Sequence, residues 1–180
     1  MISSSHDVLR FWREAGHDKW FKKDVAFDEA IRRRFLETYE AAAAGQLNDW
    51  EESREGALAL VIVLDQFPRN IFRDSARAFA ADHVARGVAD RAMKFGFDLA
   101  TPVEERAFFY LPFEHSEQLA DQERCCALFR TTGDADLIKW AELHADIIRR
   151  FGRFPHRNAV LGRTTTAEER AFLDSGGFAG

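Results

Sequence analysis

Apolar residues recur every three to four positions along almost the whole chain, and this spacing constrains the fold more than any other feature. Such a period places apolar side chains on one face of an α-helix. No segment alternates apolar and polar residues for long enough to indicate a β-strand. The pattern therefore predicts an all-α protein.

Start and stop signals divide the chain into seven or eight helices. The predicted starts are Ser5, Asp24, Asn48 or Asp49, Asp74, Thr101 with Pro102 and Glu104, a position before Leu119, Asp134, and Thr166 with Glu169. The predicted ends are Gly16, Gly45, Phe67 before Pro68, Gly96, Pro112 and Gly152. Short connections are typical of stacked antiparallel helix pairs, as in a solenoid or an orthogonal bundle. Periodicity does not decide between these two.

Two local features are predicted to be irregular. We expect Trp20 and Phe21 to lie in a loop. Pro112 should kink or break its helix and leave Phe113, Glu114 and His115 at an irregular junction.

The run Ala57–Leu64 is apolar on all sides and is expected to be the central buried helix.

Length and composition indicate one domain over residues 1–180. A chain of 180 residues with 46% hydrophobic residues can build a core without disulfides or a metal. Its 4 prolines and 11 glycines leave little material for linkers. We expect a single helical domain.

The net charge and the cysteines limit which partners the chain is expected to bind and which cellular compartment it is expected to occupy. The net charge is −5 and the pI is about 5.7, which argues against binding to nucleic acid through overall charge. Cys125 and Cys126 are adjacent and cannot join distant segments, as the disulfides of a secreted domain would. The first residues show no signal peptide, and the longest apolar run is too short for a membrane span. We expect a soluble cytoplasmic protein that binds neither nucleic acid nor membrane.

The strongest local departure in charge lies near the end of the chain. Residues 147–167 contain five arginines and no acidic residue. Arginine holds carboxylates and phosphates through a planar fork, so the stretch predicts an anion site. An echo of Phe67-Pro68-Arg69-Asn70 in Phe154-Pro155-His156-Arg157-Asn158 adds Arg69 and Asn70 as candidates. The predicted ligand-binding residues are Arg69, Asn70, Arg153, His156, Arg157, Asn158 and Arg163.

The same residues have a structural alternative. Arginines also pair with buried carboxylates, and Asp65 is a ready partner because it lies at the end of an apolar helix. In that case the polar residues lock the helix junctions.

Histidines provide a third interpretation. His144 occupies an apolar seam between Ala141 and Ile148, so its ring should point inward. His115 or His144 could act as a general base, with Glu117 or Asp65 orienting it. The sequence contains no HExxH motif and no glycine-rich phosphate-binding motif, so we expect no metal and no cofactor.

Three stretches together carry a family resemblance: Asp65-Gln66-Phe67-Pro68-Arg69-Asn70, Phe109-Tyr110-Leu111-Pro112 with His115-Ser116-Glu117, and Phe151-Gly152-Arg153-Phe154-Pro155-His156-Arg157-Asn158 with Leu161-Gly162-Arg163. In this order they resemble the uncharacterised bacterial family called domain of unknown function 924, over nearly the whole chain. The resemblance implies a helical fold similar to tetratricopeptide-like domains and no established activity. Cys125, Cys126 and Glu114 are not part of the family pattern, which weakens a thiol or metal hypothesis.

Three functions therefore stay open from the sequence. The first is a helical domain that binds a small anionic ligand or a peptide carboxylate in an Arg/His/Asn-lined cleft. The second is a small hydrolase or transferase with His115 or His144 as its base. The third is a protein-interaction scaffold whose polar motifs form a buried structural network. Oligomeric state is not predicted.

Overall fold

The computed structural model describes residues 1–178, and these contain helices and no β-strand. The α-helices are α1 (Ser5–Ala15), α2 (His17–Trp20), α3 (Val25–Ala43), α4 (Arg54–Val61), α5 (Phe67–Ile71), α6 (Asp82–Lys94), α7 (Val103–Glu114), α8 (Leu119–Arg130), α9 (Ala135–Phe151) and α10 (Ala167–Asp174). Eight of them have eight residues or more. The all-α prediction is confirmed, and its tetratricopeptide-like form stays a prediction.

Several helix ends lie where side-chain chemistry predicts them. Asp24 accepts the backbone N–H of Phe27 at 3.0 Å and caps α3, and Asp134 caps α9. Thr166 and Glu169 form a reciprocal capping box at α10. Gly152 ends α9 in the left-handed conformation, with φ of 67°. Short polar residues and a glycine thus fix these ends locally.

The region around Pro68 differs from the prediction. Residues Asn48–Glu52 form a 3₁₀-helix, and Ser53 rather than Asn48 or Asp49 caps α4. The helix does not stop at Phe67. A π-helical turn, Ile62–Gln66, joins α4 to α5, in which Phe67 donates its N–H to the carbonyl of Ile62. Pro68 lies in the first turn of α5, where a backbone N–H has no acceptor within the helix. Its missing N–H therefore removes no hydrogen bond of α5.

Three other boundaries were predicted wrongly. Asp74 does not cap a helix: its φ is 62°, and α6 begins only at Asp82. Trp20 lies in the short helix α2 rather than in a loop. Thr101 donates its hydroxyl to the carbonyl of Phe97 at 2.8 Å, and α7 begins at Val103.

Pro112 does not end its helix either. It lies inside α7, which continues to Glu114. Phe113 and Glu114 are therefore helical, and only His115 lies in the turn that follows.

Contacts group the described chain into two compact units. Unit 1 comprises Met1–Arg73 and Arg77–Pro112, and unit 2 comprises Asp74–Ala76 and the described residues from Phe113 onward. The expectation of a single domain over residues 1–180 stays a prediction.

Aromatic rings make up much of the core of unit 1. Trp12 lies against Phe67 and Phe108 with ring centroids 5.7 and 5.5 Å apart, and Phe35 lies 4.9 Å from Phe67. Residues 57–64 are all at most 2% exposed, as expected for the central buried segment. Buried edge-to-face ring contacts of this kind add to the free energy gained from apolar burial.

Unit 2 is built on the packing of α8 against α9. Ile147, Ile148 and Phe154 form its apolar cluster, and Phe172 and Phe178 pack against that cluster. None of the helices within residues 1–178 combines the length and apolar character that crossing a bilayer requires.

The close approach of the 3₁₀-helix to α4 makes Gly56 irreplaceable. A Cβ atom at this position would collide with the backbone carbonyl of Trp50. We expect Gly56→Ala to lower the free energy of unfolding by about 1 to 3 kcal/mol, measured by urea denaturation.

Gly87→Ala is the matched control. A Cβ atom there would meet only the mobile end of the Arg91 side chain, at 3.3 Å. Because alanine favours helix over glycine, this variant should be as stable as the parent or up to about 1 kcal/mol more stable. Equal losses at both positions would contradict the packing described.

Candidate functional site

The polar motifs of unit 2 meet on the turn between α9 and α10. Arg153 holds Glu169 through two parallel hydrogen bonds, of 2.5 Å from Nε and 2.8 Å from Nη2. Glu169 is only 2% exposed and also accepts the backbone N–H of Thr166. The hydrogen bonds from the Arg153 guanidinium lower the pKa of Glu169 to about 2. The capping carboxylate of α10 is thus also the counter-ion of Arg153.

A second pair joins the start of α8 to the same turn. Arg163 donates to both carboxylate oxygens of Glu117, at 2.7 and 3.0 Å, and to the carbonyl of Phe154 at 3.1 Å. Glu117 also accepts the backbone N–H of Phe154 at 2.7 Å. Although partial burial opposes the shift, these hydrogen bonds lower the pKa of Glu117. The pair therefore holds both the backbone N–H and the backbone carbonyl of Phe154.

Two further candidates are buried beside these pairs. Arg157 is 6% exposed, donates Nη1 to the backbone carbonyl of His115 at 3.0 Å and stacks over the ring of Phe154. Asn158 is fully buried and donates to Glu169 at 3.2 Å. Both side chains act here as internal cross-links.

The remaining arginine candidate lies in unit 1 with Asp65. Arg69 donates to both carboxylate oxygens of Asp82, at 3.0 and 3.1 Å, and lies 3.4 Å from Asp65. Asp65 is fully buried and also accepts from Gln66. Although burial opposes the shift, the two carboxylates raise the pKa of Arg69.

Asn70 and its neighbour Arg73 share one carboxylate. Asn70 donates to Asp28 at 2.8 Å, and Arg73 holds the same group through two hydrogen bonds of 2.8 and 2.9 Å. Each of the two Phe-Pro segments, Phe67-Pro68 and Phe154-Pro155, is therefore followed by side chains that belong to a network of ion pairs. One copy lies in unit 1 and the other in unit 2.

Every predicted anion ligand except His156 therefore has a hydrogen-bonding partner within its own unit. An external anion would have to compete with carboxylates that already hold the guanidinium groups at short distance. Binding of an anion by these residues stays a prediction.

The histidine candidates lie in different surroundings. His144 is 7% exposed, and its Nδ1 lies 2.8 Å from the carbonyl of Trp140 and 3.6 Å from Glu114. Because a carbonyl oxygen can only accept, Nδ1 of His144 donates in this contact. Chemically, such an imidazole could act as a base.

The predicted partners of the catalytic hypothesis are engaged elsewhere. Glu117 holds Arg163, and Asp65 holds Arg69 in unit 1. His115 contributes its backbone carbonyl to Arg157. The carboxylate near His144 is Glu114, which sequence reasoning did not assign to it. Catalysis by His115 or His144 stays a prediction.

His156 is enclosed by rings. Its centroid lies 5.6 Å from that of Phe154 and 5.2 Å from that of Phe178. Its Nδ1 is buried with no hydrogen-bond partner among the described residues. Burial, with the positive charges of Arg157 and Arg163 and the nearby His144, lowers the pKa of His156 to about 3 even though Glu117 opposes this. The ring is neutral at physiological pH.

Two further kinds of site would need a cluster of metal-binding side chains or a reactive thiol. Residues 1–178 contain no group of three or more His, Cys, Asp or Glu side chains that could hold a metal ion. Burial raises the pKa of Cys125 and of Cys126, so both thiols stay protonated.

An apolar groove of about 500 Å³ runs along α9 in unit 2. Its lining side chains include Leu143, Ile147, Phe151, Phe172 and Phe178. The charged residues at its edge are Lys139, Glu142, Asp146 and Arg150. Sequence reasoning did not predict this groove, although the Leu143, Ile147 and Phe151 spacing on α9 was a signal for it.

The family model described as "Bacterial protein of unknown function (DUF924)" matches residues 8–177. The chain belongs to this family. A similar solved structure is that of protein of unknown function ATU0120 from Agrobacterium tumefaciens, which is 48% identical. The match covers 95% of this chain and 97% of that one, with a TM-score of 0.93. No curated protein matches. The resemblance seen in the sequence is confirmed, and DUF924 membership supplies a fold without an activity.

Sequence reasoning missed three side chains around the DUF924 motifs. Glu169 was assigned only a capping role, Glu114 was set aside because it lies outside the family pattern, and Phe178 was not singled out. An acidic residue three positions into a helix signals a cap, but no local pattern shows that it also neutralises a distant arginine.

The buried neutral state of His156 makes the stability of the fold depend on pH. The unfolded chain binds a proton at an ordinary histidine near pH 6.5, whereas the folded chain does so only near pH 3. The stabilisation is therefore complete above pH 6.5 and is lost as the pH falls toward 3. Between pH 6.5 and 5 the wild type should lose up to about 1.4 kcal/mol per pH unit more than His156→Phe. Urea denaturation at several pH values measures this, and identical slopes would contradict the buried neutral ring.

Proposed function

We propose that this chain is a protein-recognition domain that binds an apolar peptide segment of a partner protein in the groove along α9. In this proposal the DUF924 polar motif of unit 2, residues 151–163, forms the internal network that holds the groove residues in place. It corresponds to the third of the functions that the sequence left open.

The groove is the observation that carries the proposal. Its volume of about 500 Å³ falls within the usual range for ligand sites. Lining positions from Lys139 to Phe151 extend over about 18 Å of helix, the length of five or six residues of extended peptide.

The surface chemistry fits a peptide better than a free anion. An apolar floor with charged residues at the edge is the arrangement found at protein interfaces. Both signs of charge occur at the edge, and Arg150 there is already paired with Glu168 at 3.0 Å. No excess positive charge faces the groove, so an apolar side chain is the more suitable ligand.

The ion pairs support the same conclusion. Arg153 and Arg163 hold the turn after α9 through Glu169 and Glu117, and Phe154 in that turn belongs to the apolar cluster beneath the groove. Both pairs are partly buried, and their carboxylates also accept backbone N–H groups, those of Thr166 and Phe154. The motif of unit 2 and the groove thus belong to the same structural unit.

The test is selection of random octapeptides displayed on phage against the purified protein, followed by fluorescence anisotropy with the selected peptides made synthetically. Leu143→Glu places a carboxylate in the apolar floor and should weaken binding at least tenfold, because that charge would be desolvated under a bound peptide. Leu143 is only partly buried, so the variant can fold.

Leu161→Glu is the matched control. Leu161 is 36% exposed, also belongs to unit 2 and does not line the groove. Its affinity for the selected peptides should equal that of the wild type. Failure to select any peptide, or equal affinity of the Leu143→Glu variant, would overturn the proposal.

A further inference from the structure

The segment after α10 reaches into a cage of rings beside the groove. Phe178 lies edge-to-face on His144 with centroids 4.5 Å apart and on His156 at 5.2 Å. Its ring is also 6.3 Å from that of Trp140, and it packs against the apolar cluster that contains Phe154. Two imidazoles and an indole thus lie with ring centroids within 6.3 Å of one aromatic side chain, which is half-buried.

We propose that this cage, formed by Trp140, His144, Phe154 and His156, is the anchor site for an aromatic side chain of the peptide partner, and that Phe178 occupies it in cis. The inference deepens the proposed function and rests on it. It names the side-chain class that the groove selects and a contact that closes the site in the free protein.

The chemistry of the cage favours an aromatic ring over an aliphatic chain. Ring pairs prefer edge-to-face contacts at centroid distances of about 4.5 to 7 Å, and the contacts of Phe178 fall within this range. The Nδ1–H of His144 is engaged by the carbonyl of Trp140, so its ring offers a face and edges rather than a donor. His156 is neutral for the reasons given above. The cage therefore presents aromatic faces and edges.

The segment that carries Phe178 is held mainly by that one ring. Gly176 has φ of 83°, and its N–H and that of Gly177 donate to Leu173 and Phe172 at the end of α10. These bonds fix the exit of the helix. Neither glycine has a side chain that could contact α9. Exchange of Phe178 for an equivalent ring of a partner therefore costs few other contacts.

Tethering gives the internal ring an advantage over a free ligand. A side chain on a short tether acts at a high effective concentration, so the partner must supply additional groove contacts to displace it. If Phe178 occupies the cage about nine-tenths of the time, its removal raises the affinity for an external ring about tenfold.

The experiment compares wild type, Phe178→Ala and a matched control, Phe95→Ala, which removes an exposed ring in unit 1. The probes are the tripeptide Ac-Gly-Gly-Phe-NH2, which copies the residues that fill the cage, and Ac-Gly-Gly-Ala-NH2. Binding is followed by NMR of the histidine ring protons. We expect Phe178→Ala to bind the phenylalanine tripeptide at least tenfold more tightly than wild type and Phe95→Ala, with shifts at His144 and His156. The alanine tripeptide should not bind.

Equal affinity of Phe178→Ala and wild type, or equal binding of the two tripeptides, would overturn the inference. Gly177→Ala provides a second variant, because its added Cβ would collide with Phe172 and redirect Phe178 while keeping the ring. It should show a smaller gain in the same direction, and no gain in either variant counts against the cage. If groove peptides bind wild type and are sensitive to Leu143→Glu but the tripeptide result fails, only the anchor inference is lost.

Discussion

The pairing of two carboxylates with the arginines that follow α9 is the interaction on which the site depends. Five arginines within 21 residues would repel one another without counter-ions. Glu169 and Glu117 neutralise two of them and at the same time tie α10 and the start of α8 to the turn at Phe154. Two of the arginines that predict a ligand site in the sequence therefore also tie helix ends together in the fold.

This distribution explains how a polar motif and an apolar groove can coexist in unit 2. The Phe154 ring is buried, while its backbone N–H and carbonyl are held by Glu117 and Arg163. Rigid backbone at that turn fixes the floor of the groove and one wall of the ring cage.

Sequence reasoning succeeded where structure is local. The caps at Asp24, Asp134 and Thr166 need only a side chain and the backbone two or three residues away, so a pattern can show them. It failed at Pro68. A π-helical turn upstream lets the helix continue past this proline, and no residue pattern predicts such a turn. The ion pairs of the predicted anion-site residues could not be foreseen for a similar reason. Glu117 lies 46 positions from Arg163, and only the tertiary fold brings the two together.

The most direct test of this account is a double-mutant cycle on Glu117→Gln and Arg163→Met, measured as the free energy of unfolding in the absence and presence of inorganic phosphate. Both side chains are less than one-third exposed, so a structural pair should give a coupling energy of about 1 to 2 kcal/mol. Phosphate should leave the free energy of unfolding of the wild type and of each variant unchanged. A coupling near zero, together with phosphate stabilisation of the wild type that Arg163→Met loses, would contradict the account and return the arginines to ligand binding.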